Sequence, residues 1–156
     1  MRSSLNLHLI GIFAFISLLS CSHKEVYYEF AEIPQNQWNK NSKICFDLDS
    51  LSVIASQTYK VDIEITHNLD YAYKTLWLYL DQNFQDSIVM RDTLECVLTT
   101  ENGKWKGCGN GPTRQLSVLY KTGINLDPTK QMKICIHHSM QDLHLKGIEK
   151  IGLKIH

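Results

Sequence analysis

The chain has no excess of charge of either sign: Lys and Arg together number 16, and Asp and Glu together also number 16. This balance excludes the excess of basic residues that is typical of a nucleic-acid-binding domain, and the excess of acidic residues that is typical of a disordered acidic tail. Apolar residues make up 44% and charged residues 21% of the chain, proportions that are typical of a globular domain and argue against bulk disorder. A length of 156 residues corresponds to one domain with a short leader.

The sequence also lacks the short motifs that mark common catalytic and metal sites. It contains no G-x-S-x-G, no H-E-x-x-H and no C-x-x-C, which are patterns of serine hydrolases, zinc proteases and zinc sites. The glycine-rich stretch 107–111 lacks the Lys-Ser/Thr pair of a phosphate-binding loop, so we interpret it as a bulged loop. We therefore expect a protein that is not an enzyme and that holds no cofactor or metal.

The apolar run at the N-terminus, Leu9 to Leu19, is too short for a transmembrane helix, which needs about 20 residues. Arg2 is the only charged residue before Lys24, so this region has the proportions of a signal peptide. The run ends in Leu18-Leu19-Ser20-Cys21, which resembles a lipobox, where the leader is cleaved before a cysteine that carries diacylglycerol. The alternative is an ordinary secretory signal with a cysteine near its end by chance.

A lipidated Cys21 divides the chain into a signal peptide at 1–20, a lipidated tether at 21–26 and a single domain at 27–156. Two or more acyl chains hold a protein firmly on a bilayer, so we expect a tethered envelope protein. Ser22 follows the cysteine, where an Asp would retain a lipoprotein in the inner membrane, and this favours the outer membrane. We expect the domain to face the periplasm rather than the cell surface.

Alternation of apolar and polar residues is the dominant pattern after the tether. Tyr59, Val61, Ile63 and Ile65 alternate with polar residues, as in a strand that is buried on one face. The segment Thr75 to Leu80 is apolar on both faces and predicts a central strand whose Trp77 and Tyr79 rings are covered. Only Met140 to Lys146 is a candidate for a short helix. Roughly eight short strands predict an all-β protein, an antiparallel β-sandwich of the jelly-roll kind.

Four cysteines remain once Cys21 is set aside: Cys45, Cys96, Cys108 and Cys135. The bacterial periplasm is oxidising, so free thiols and two disulfides are about equally compatible with the sequence, and a zinc site is a weaker alternative. Cys45 and Cys135 each lie on the polar side of a strand, so they form a second candidate pair if those strands are neighbours.

The first candidate pair depends on a predicted hairpin. Asn102-Gly103 indicates a tight turn that pairs Thr100 with Lys104, and the same register places Cys96 opposite Cys108. We therefore expect Cys96 and Cys108 to be bonded under oxidising conditions.

Two further groups of residues are candidate sites. His137, His138 and His144 would be the centre of a metal-assisted hydrolase, but His137 and His138 face opposite sides of a strand. Exposed aromatic residues such as Trp105, Tyr71 and Tyr73 would form the platform of a small-ligand or glycan-binding module. Packing in the core or at an edge is the alternative use of such rings.

Residues spread over nearly the whole predicted mature chain match one known family in order. They are Cys21; Tyr28-Glu29-Phe30, Ile33-Pro34 and Trp38; His67, Asp70-Tyr71 and Tyr73; Leu76-Trp77-Leu78; Asp92-Thr93-Leu94-Glu95; Gly103-Lys104-Trp105, Gly107 and Gly109; and His138-Ser139-Met140-Gln141-Asp142, Leu145, Gly147-Ile148 and Ile151-Gly152-Leu153. With these residues the chain resembles the gliding-motility-associated lipoprotein GldH family. It departs from the family pattern in its four later cysteines and in Leu143-His144, where charged residues are more usual.

The resemblance implies a lipid-anchored accessory protein of the gliding apparatus and its linked secretion machinery, with envelope proteins as partners and no catalytic residues. On this hypothesis His138, Asp142 and Trp105 belong to an interaction patch. In the structural alternative, Met140 and Leu145 plug the end of the sandwich, and Asp142 caps a turn through backbone N–H groups.

The lipobox predicts that Cys21→Ala abolishes the incorporation of labelled fatty acid, because the thiol is the only point of attachment. The variant should accumulate as uncleaved precursor or as soluble protein, and fractionation of radiolabelled cells measures both. Labelled fatty acid in the variant, or wild-type protein in soluble periplasmic extracts, would contradict the assignment.

Overall fold

The computed structural model describes residues 25–48, 51, 53–84 and 88–156. The predicted signal peptide and Cys21 lie outside these residues. Within the described part of the chain, no helix is both long and apolar enough to cross a membrane.

The described residues form ten β-strands and one 3-10 turn, with no α-helix among them. The 3-10 turn spans Pro34–Asn36. The strands are β1 (Tyr27–Glu32), β2 (Gln37–Asn39), β3 (Ile44–Asp47), β4 (Thr58–His67), β5 (Thr75–Gln82), β6 (Met90–Val97), β7 (Arg114–Asn125), β8 (Lys133–His138), β9 (His144–Lys146) and β10 (Ile148–Ile155).

The strands pair as one long antiparallel ribbon that is folded back on itself. β5 pairs with β6, β4 with β7, β3 with β8, β2 with β9, and β1 with β10, all antiparallel. Two further pairings, β10 with β4 and β8 with β5, roll this ribbon into two four-stranded sheets. The first sheet has the order β1-β10-β4-β7 and the second has the order β3-β8-β5-β6. This is the strand order of a jelly roll, and it confirms the predicted fold class.

The core lies between the two sheets and follows the alternation seen in the sequence. Val61, Ile63 and Ile65 of β4 are fully buried, as are Leu78 and Leu80 of β5, and all belong to one apolar cluster. Because successive side chains of a strand point to opposite faces, each sheet contributes every second residue to this core.

The short helix predicted at 140–146 is wrong. His144–Lys146 form β9, in which Leu145 pairs with Trp38 of β2, and both side chains are buried. Gly147 then turns the chain into β10 with a φ of +84°, and a Cβ at this position would lie 2.2 Å from the backbone nitrogen of Tyr71. The segment is extended because Leu145 is needed to cover Trp38 at the side of the sandwich.

The predicted hairpin at Asn102-Gly103 is present. Thr100 N–H donates to the Lys104 carbonyl over 2.8 Å, and Gly103 has the left-handed φ of +75° that the turn requires. Lys106 N–H still donates to the Leu98 carbonyl, also over 2.8 Å. The turn and its register were therefore predicted correctly up to this residue.

The predicted bond between Cys96 and Cys108 is wrong in this structure, in which both are free thiols. The chain leaves the hairpin at Gly107, where φ is +86°, and Cys108 then pairs with Gln115 through two backbone hydrogen bonds. Cys96 stays in β6 opposite Leu76, with its side chain in the core. The glycine thus ends the register on which the predicted bond depended.

The second candidate pair is joined. β3 and β8 are neighbours, Cys45 lies directly opposite Cys135, and the two form a disulfide with a Cα–Cα distance of 4.0 Å.

We expect a thiol reagent to label Cys108 rapidly in protein that is purified from the envelope without reductant, and to label Cys96 only after denaturation. Cys108 is exposed, whereas Cys96 is fully buried and burial raises the pKa of its thiol to about 12; the thiolate is the reactive form. Mass mapping of a non-reduced digest should also recover Cys45 joined to Cys135.

The control for this experiment is Cys108→Ser, which should lose the rapid labelling. A digest fragment that joins Cys96 to Cys108, or fast labelling of Cys96 in the folded protein, would contradict the structure.

Candidate functional site

One end of the sandwich gathers most of the residues that the sequence singled out. It is formed by the loops 68–74, 98–113 and 139–143, and we call it the signature end. Its loops are joined by direct contacts: the rings of His67 and Trp105 are 4.6 Å apart, and the Tyr73 hydroxyl bonds Asp142. Residues far apart in sequence therefore build one surface here.

The inner layer of the signature end is a cluster of aromatic rings. Tyr71 is buried, lies 5.9 Å from the His67 ring and 5.8 Å from the Tyr73 ring, and donates its hydroxyl to the Thr75 carbonyl over 3.0 Å. Trp105 is half-buried and packs against His67 and Tyr71. The predicted place of Tyr71 in an exposed platform is therefore wrong, because its ring is buried in the core; Trp105 is half-buried and Tyr73 is exposed.

The outer layer is a different set of residues, which we call the Trp77 patch: Tyr73, Trp77, Met140 and Asp142. Tyr73 and Trp77 each expose 40% of their surface. Together with Ser139, Met140 and Gln141 they line a shallow cavity of about 270 Å³. The segment after β8 is held against β5 because Ser139 N–H donates to the Trp77 carbonyl over 2.9 Å.

The prediction that the Trp77 ring is covered is wrong. Trp77 lies on the outward face of β5, with Glu95 of β6 directly beside it, and no third layer of the described residues lies over this face. A segment that is apolar on both faces predicts burial on both, but here the outward apolar residue remains on the surface. Two large aromatic side chains that are exposed next to each other are unusual on a domain without a partner, because their apolar surface stays in contact with water.

Asp142 forms the polar border of the Trp77 patch. Its carboxylate accepts a hydrogen bond from the Tyr73 hydroxyl over 2.7 Å, and this bond raises the pKa of the Tyr73 phenol. The expected capping of a turn through backbone N–H groups is thus replaced by a side-chain contact. The bond joins two loops and fixes the orientation of the Tyr73 ring at the surface.

His138 lies beneath the patch and is fully buried. Its Nε2 is 3.1 Å from the Trp38 carbonyl oxygen; a carbonyl can only accept, so Nε2 carries the proton. Nδ1 is buried without a partner, and burial lowers the pKa of the ring. The predicted role of His138 in a surface patch is therefore wrong: the side chain connects β8 to β2 from inside.

The structure separates the three histidines of the hydrolase hypothesis. His138 points into the core, His137 packs against Tyr79 on the outward face at 5.4 Å, and His144 is exposed on β9. Among the described residues, no three His, Cys, Asp or Glu side chains are grouped so that they could hold a metal ion.

Sequence reasoning missed a rigid ionic group on the same outward face. Asp81 accepts from Arg91 Nε over 2.6 Å, from Arg91 Nη2 over 2.9 Å and from Lys43 Nζ over 2.8 Å. The hydrogen bonds from Arg91 hold the pKa of Asp81 well below its usual range. The period of two along β5 places Asp81 on the face of Tyr79 and Trp77. Its partners are Lys43, which directly precedes β3, and Arg91 of β6, and they could not be read from local sequence.

Comparison with known proteins gives the family of the chain. The sequence profile of the GldH lipoprotein family matches residues 25–155. The chain belongs to the GldH lipoprotein family. This confirms the resemblance that was drawn from the residues.

Two relatives within this family match over nearly their whole length. The "Gliding motility lipoprotein GldH homolog" of Christiangramia forsetii is 33% identical over 99% of this chain and 97% of its own. The "Gliding motility lipoprotein GldH" of Flavobacterium johnsoniae is 24% identical over 94% of this chain and 93% of its own. No solved structure matches the chain.

The buried histidines of this GldH family member predict a loss of stability in mild acid. Burial lowers the pKa values of His67 and His138 in the folded state, so the unfolded chain takes up protons first as the pH falls below about 6.5. The stabilisation is therefore complete above that pH and decreases below it, so the melting temperature should fall in mild acid.

His138→Gln retains an N–H group for the Trp38 carbonyl but does not titrate. We expect its melting temperature to fall less between pH 7.5 and 5.5 than that of the wild type, as measured by circular dichroism. His144→Gln, at an exposed position, is the matched control and should follow the wild type. Equal slopes for all three proteins would show that His138 does not contribute to the pH dependence.

Proposed function

We propose that this chain is a lipid-anchored protein of the cell envelope that serves, without catalysis, as an interaction subunit of the gliding-motility apparatus and its linked secretion machinery. Membership of the GldH lipoprotein family and the names of its relatives support the process and the anchor. The lipobox at Cys21 and the Ser that follows it support anchoring in the outer membrane, with the domain on the periplasmic side.

The observation that carries the proposal is the Trp77 patch. Trp, Tyr and Met are enriched where proteins bind one another, and a few such residues supply most of the binding free energy. Here they stand at the surface of a rigid sheet, bordered by a carboxylate whose position is fixed by Tyr73. Val97 beside the patch and Leu143 near it are also exposed, so the apolar surface extends beyond the two rings.

The second candidate function is a small-ligand or glycan-binding module, and the shallow cavity between Tyr73 and Trp77 favours it. At about 270 Å³ this cavity lies just below the range of roughly 300–1,000 Å³ in which ligands are largely enclosed. A sugar would thus be held by one face only. For this reason the protein partner is the preferred proposal.

Trp77→Ala tests the proposal in pull-downs from detergent-solubilised membranes. Loss of a central Trp costs roughly 2 kcal/mol or more, so recovery of an envelope partner should fall at least tenfold, while the melting temperature stays near that of the wild type because the ring is partly exposed. Leu119→Ala is the matched control, since Leu119 is an exposed apolar residue on β7 of the other sheet.

The outcomes separate the two functions. Partner recovery that is lost with Trp77→Ala and kept with Leu119→Ala supports the interaction subunit. Saturable binding on a glycan array that needs Trp77, without a protein partner, supports the second function instead. A partner that is retained by Trp77→Ala and by Asp142→Ala would contradict the assignment of the Trp77 patch.

A further inference from the structure

The end of the sandwich opposite the signature end carries both the start of the described chain and a separate group of exposed apolar residues. This end, which we call the tether end, is formed by residues 25–26, 53–57, 88–89 and 126–132. β1 begins here with Tyr27 opposite Ile155, the last residue of β10. The ring of Tyr27 also lies 6.4 Å from the ring of Phe46 near the end of β3, which places the two sheets' ends side by side.

The second sheet extends from this contact toward the beginning of β6. Phe46 is in register with Ile134, Ile134 with Gln82, and Gln82 with Met90. Three strand spacings of about 4.8 Å separate Phe46 from Met90, so the two lie roughly 14 Å apart across the same end of the sheet. The start of β1 and the start of β6 therefore lie at a similar height along the sandwich.

Four aliphatic side chains at the tether end are exposed to an extent that packing does not explain. Ile88, Val89 and Met90 are consecutive and expose 75%, 64% and 52% of their surface, and Ile54 exposes 55%. The backbone of Ile54 is fixed near the start of β4, because its N–H donates to the Tyr59 hydroxyl over 2.8 Å. Apolar groups of this kind on a soluble domain mark a surface that is covered by something else.

The length of chain before Glu25 indicates what covers them. Only four positions separate Glu25 from Cys21, and four residues span at most about 14 Å when fully extended. If Cys21 carries acyl chains in the bilayer, the tether end must lie within that distance of the lipid surface. β4 and β7 are 10 and 12 residues long, roughly 33–40 Å at 3.3 Å per residue; in an end-on domain the signature end is therefore held away from the membrane.

We propose that the tether end rests on the bilayer, with Ile54, Ile88, Val89 and Met90 entering the boundary between headgroups and acyl chains. This inference rests on the lipid anchor of the proposed function and adds the orientation of the domain. Leu69 and Leu143 of the signature end are also exposed, but they lie a strand length away from the anchor. In this orientation the Trp77 patch points away from the membrane and toward soluble partners.

The experiment places an environment-sensitive fluorophore on single cysteines of the lipidated full chain. Ile88→Cys and Ile54→Cys are compared with Leu143→Cys, each in a Cys108→Ser background, after reconstitution into phosphatidylethanolamine–phosphatidylglycerol vesicles that contain lipid brominated in its acyl chains. Shallow insertion should shift the emission of the labels at 88 and 54 to shorter wavelength and quench about half of it. The label at 143 should remain in water.

A second variant keeps the test independent of the labelled side chain. In the Ile54→Cys protein, Val89→Asp places a charge at the proposed contact and should reduce the quenching at position 54. Leu119→Asp on β7 is the matched control and should leave the quenching unchanged. Equal quenching in both variants would overturn the proposed contact.

The outcomes distinguish this inference from the anchor itself. Protein that floats with the vesicles while the labels at 54 and 88 remain in water overturns the orientation and leaves the anchor intact. Protein that fails to float overturns the anchor and, with it, the orientation. Quenching at 143 rather than at 54 and 88 would place the signature end on the lipid and contradict the proposal.

Discussion

The structure depends on the pairing of the two ends of the described chain. β10 lies between β1 and β4, so the C-terminal strand is an inner strand of the first sheet, and β1 joins this sheet only through β10. The pairing requires close contact at Gly152, where a Cβ would lie 2.7 Å from the Phe30 ring. Because every other pairing of the ribbon lies inside this outermost one, the pairing of β1 with β10 is its longest-range contact and closes the ribbon.

This pairing also determines which residues share an end of the sandwich. It places the start of β1 beside Ile155, so Tyr27 and the exposed aliphatic residues around Ile88 share one end. The turns between β4 and β5 and after β8 then lie at the other end, where the Tyr73–Asp142 hydrogen bond holds them together. The sandwich between the two ends separates the Trp77 patch from the start of β1.

Residues 138–142, one of the segments that match the family, contribute to both the core and the surface. His138 donates to the Trp38 carbonyl from inside the fold, and Leu145 of the following strand covers the Trp38 ring. Met140 and Asp142, two and four residues after His138, lie at the surface of the patch. Leu145 is therefore buried in the core, as the structural hypothesis expects, whereas a role of Asp142 in an interaction patch stays a prediction.

The sequence by itself determined the elements whose causes are local. Period-two alternation identified most of the strands, Asn102-Gly103 identified its turn, and a jelly-roll sandwich followed from their number. What only the tertiary structure decided is which elements lie side by side and which face of each turns inward. Cys45 meets Cys135 because β3 and β8 are neighbours, and Cys96 misses Cys108 because the chain turns away at Gly107. Trp77 lies outside and His138 inside for a similar reason. The alternation of residues along a strand shows which side chains share a face, but the long-range partners of that strand decide which face is buried.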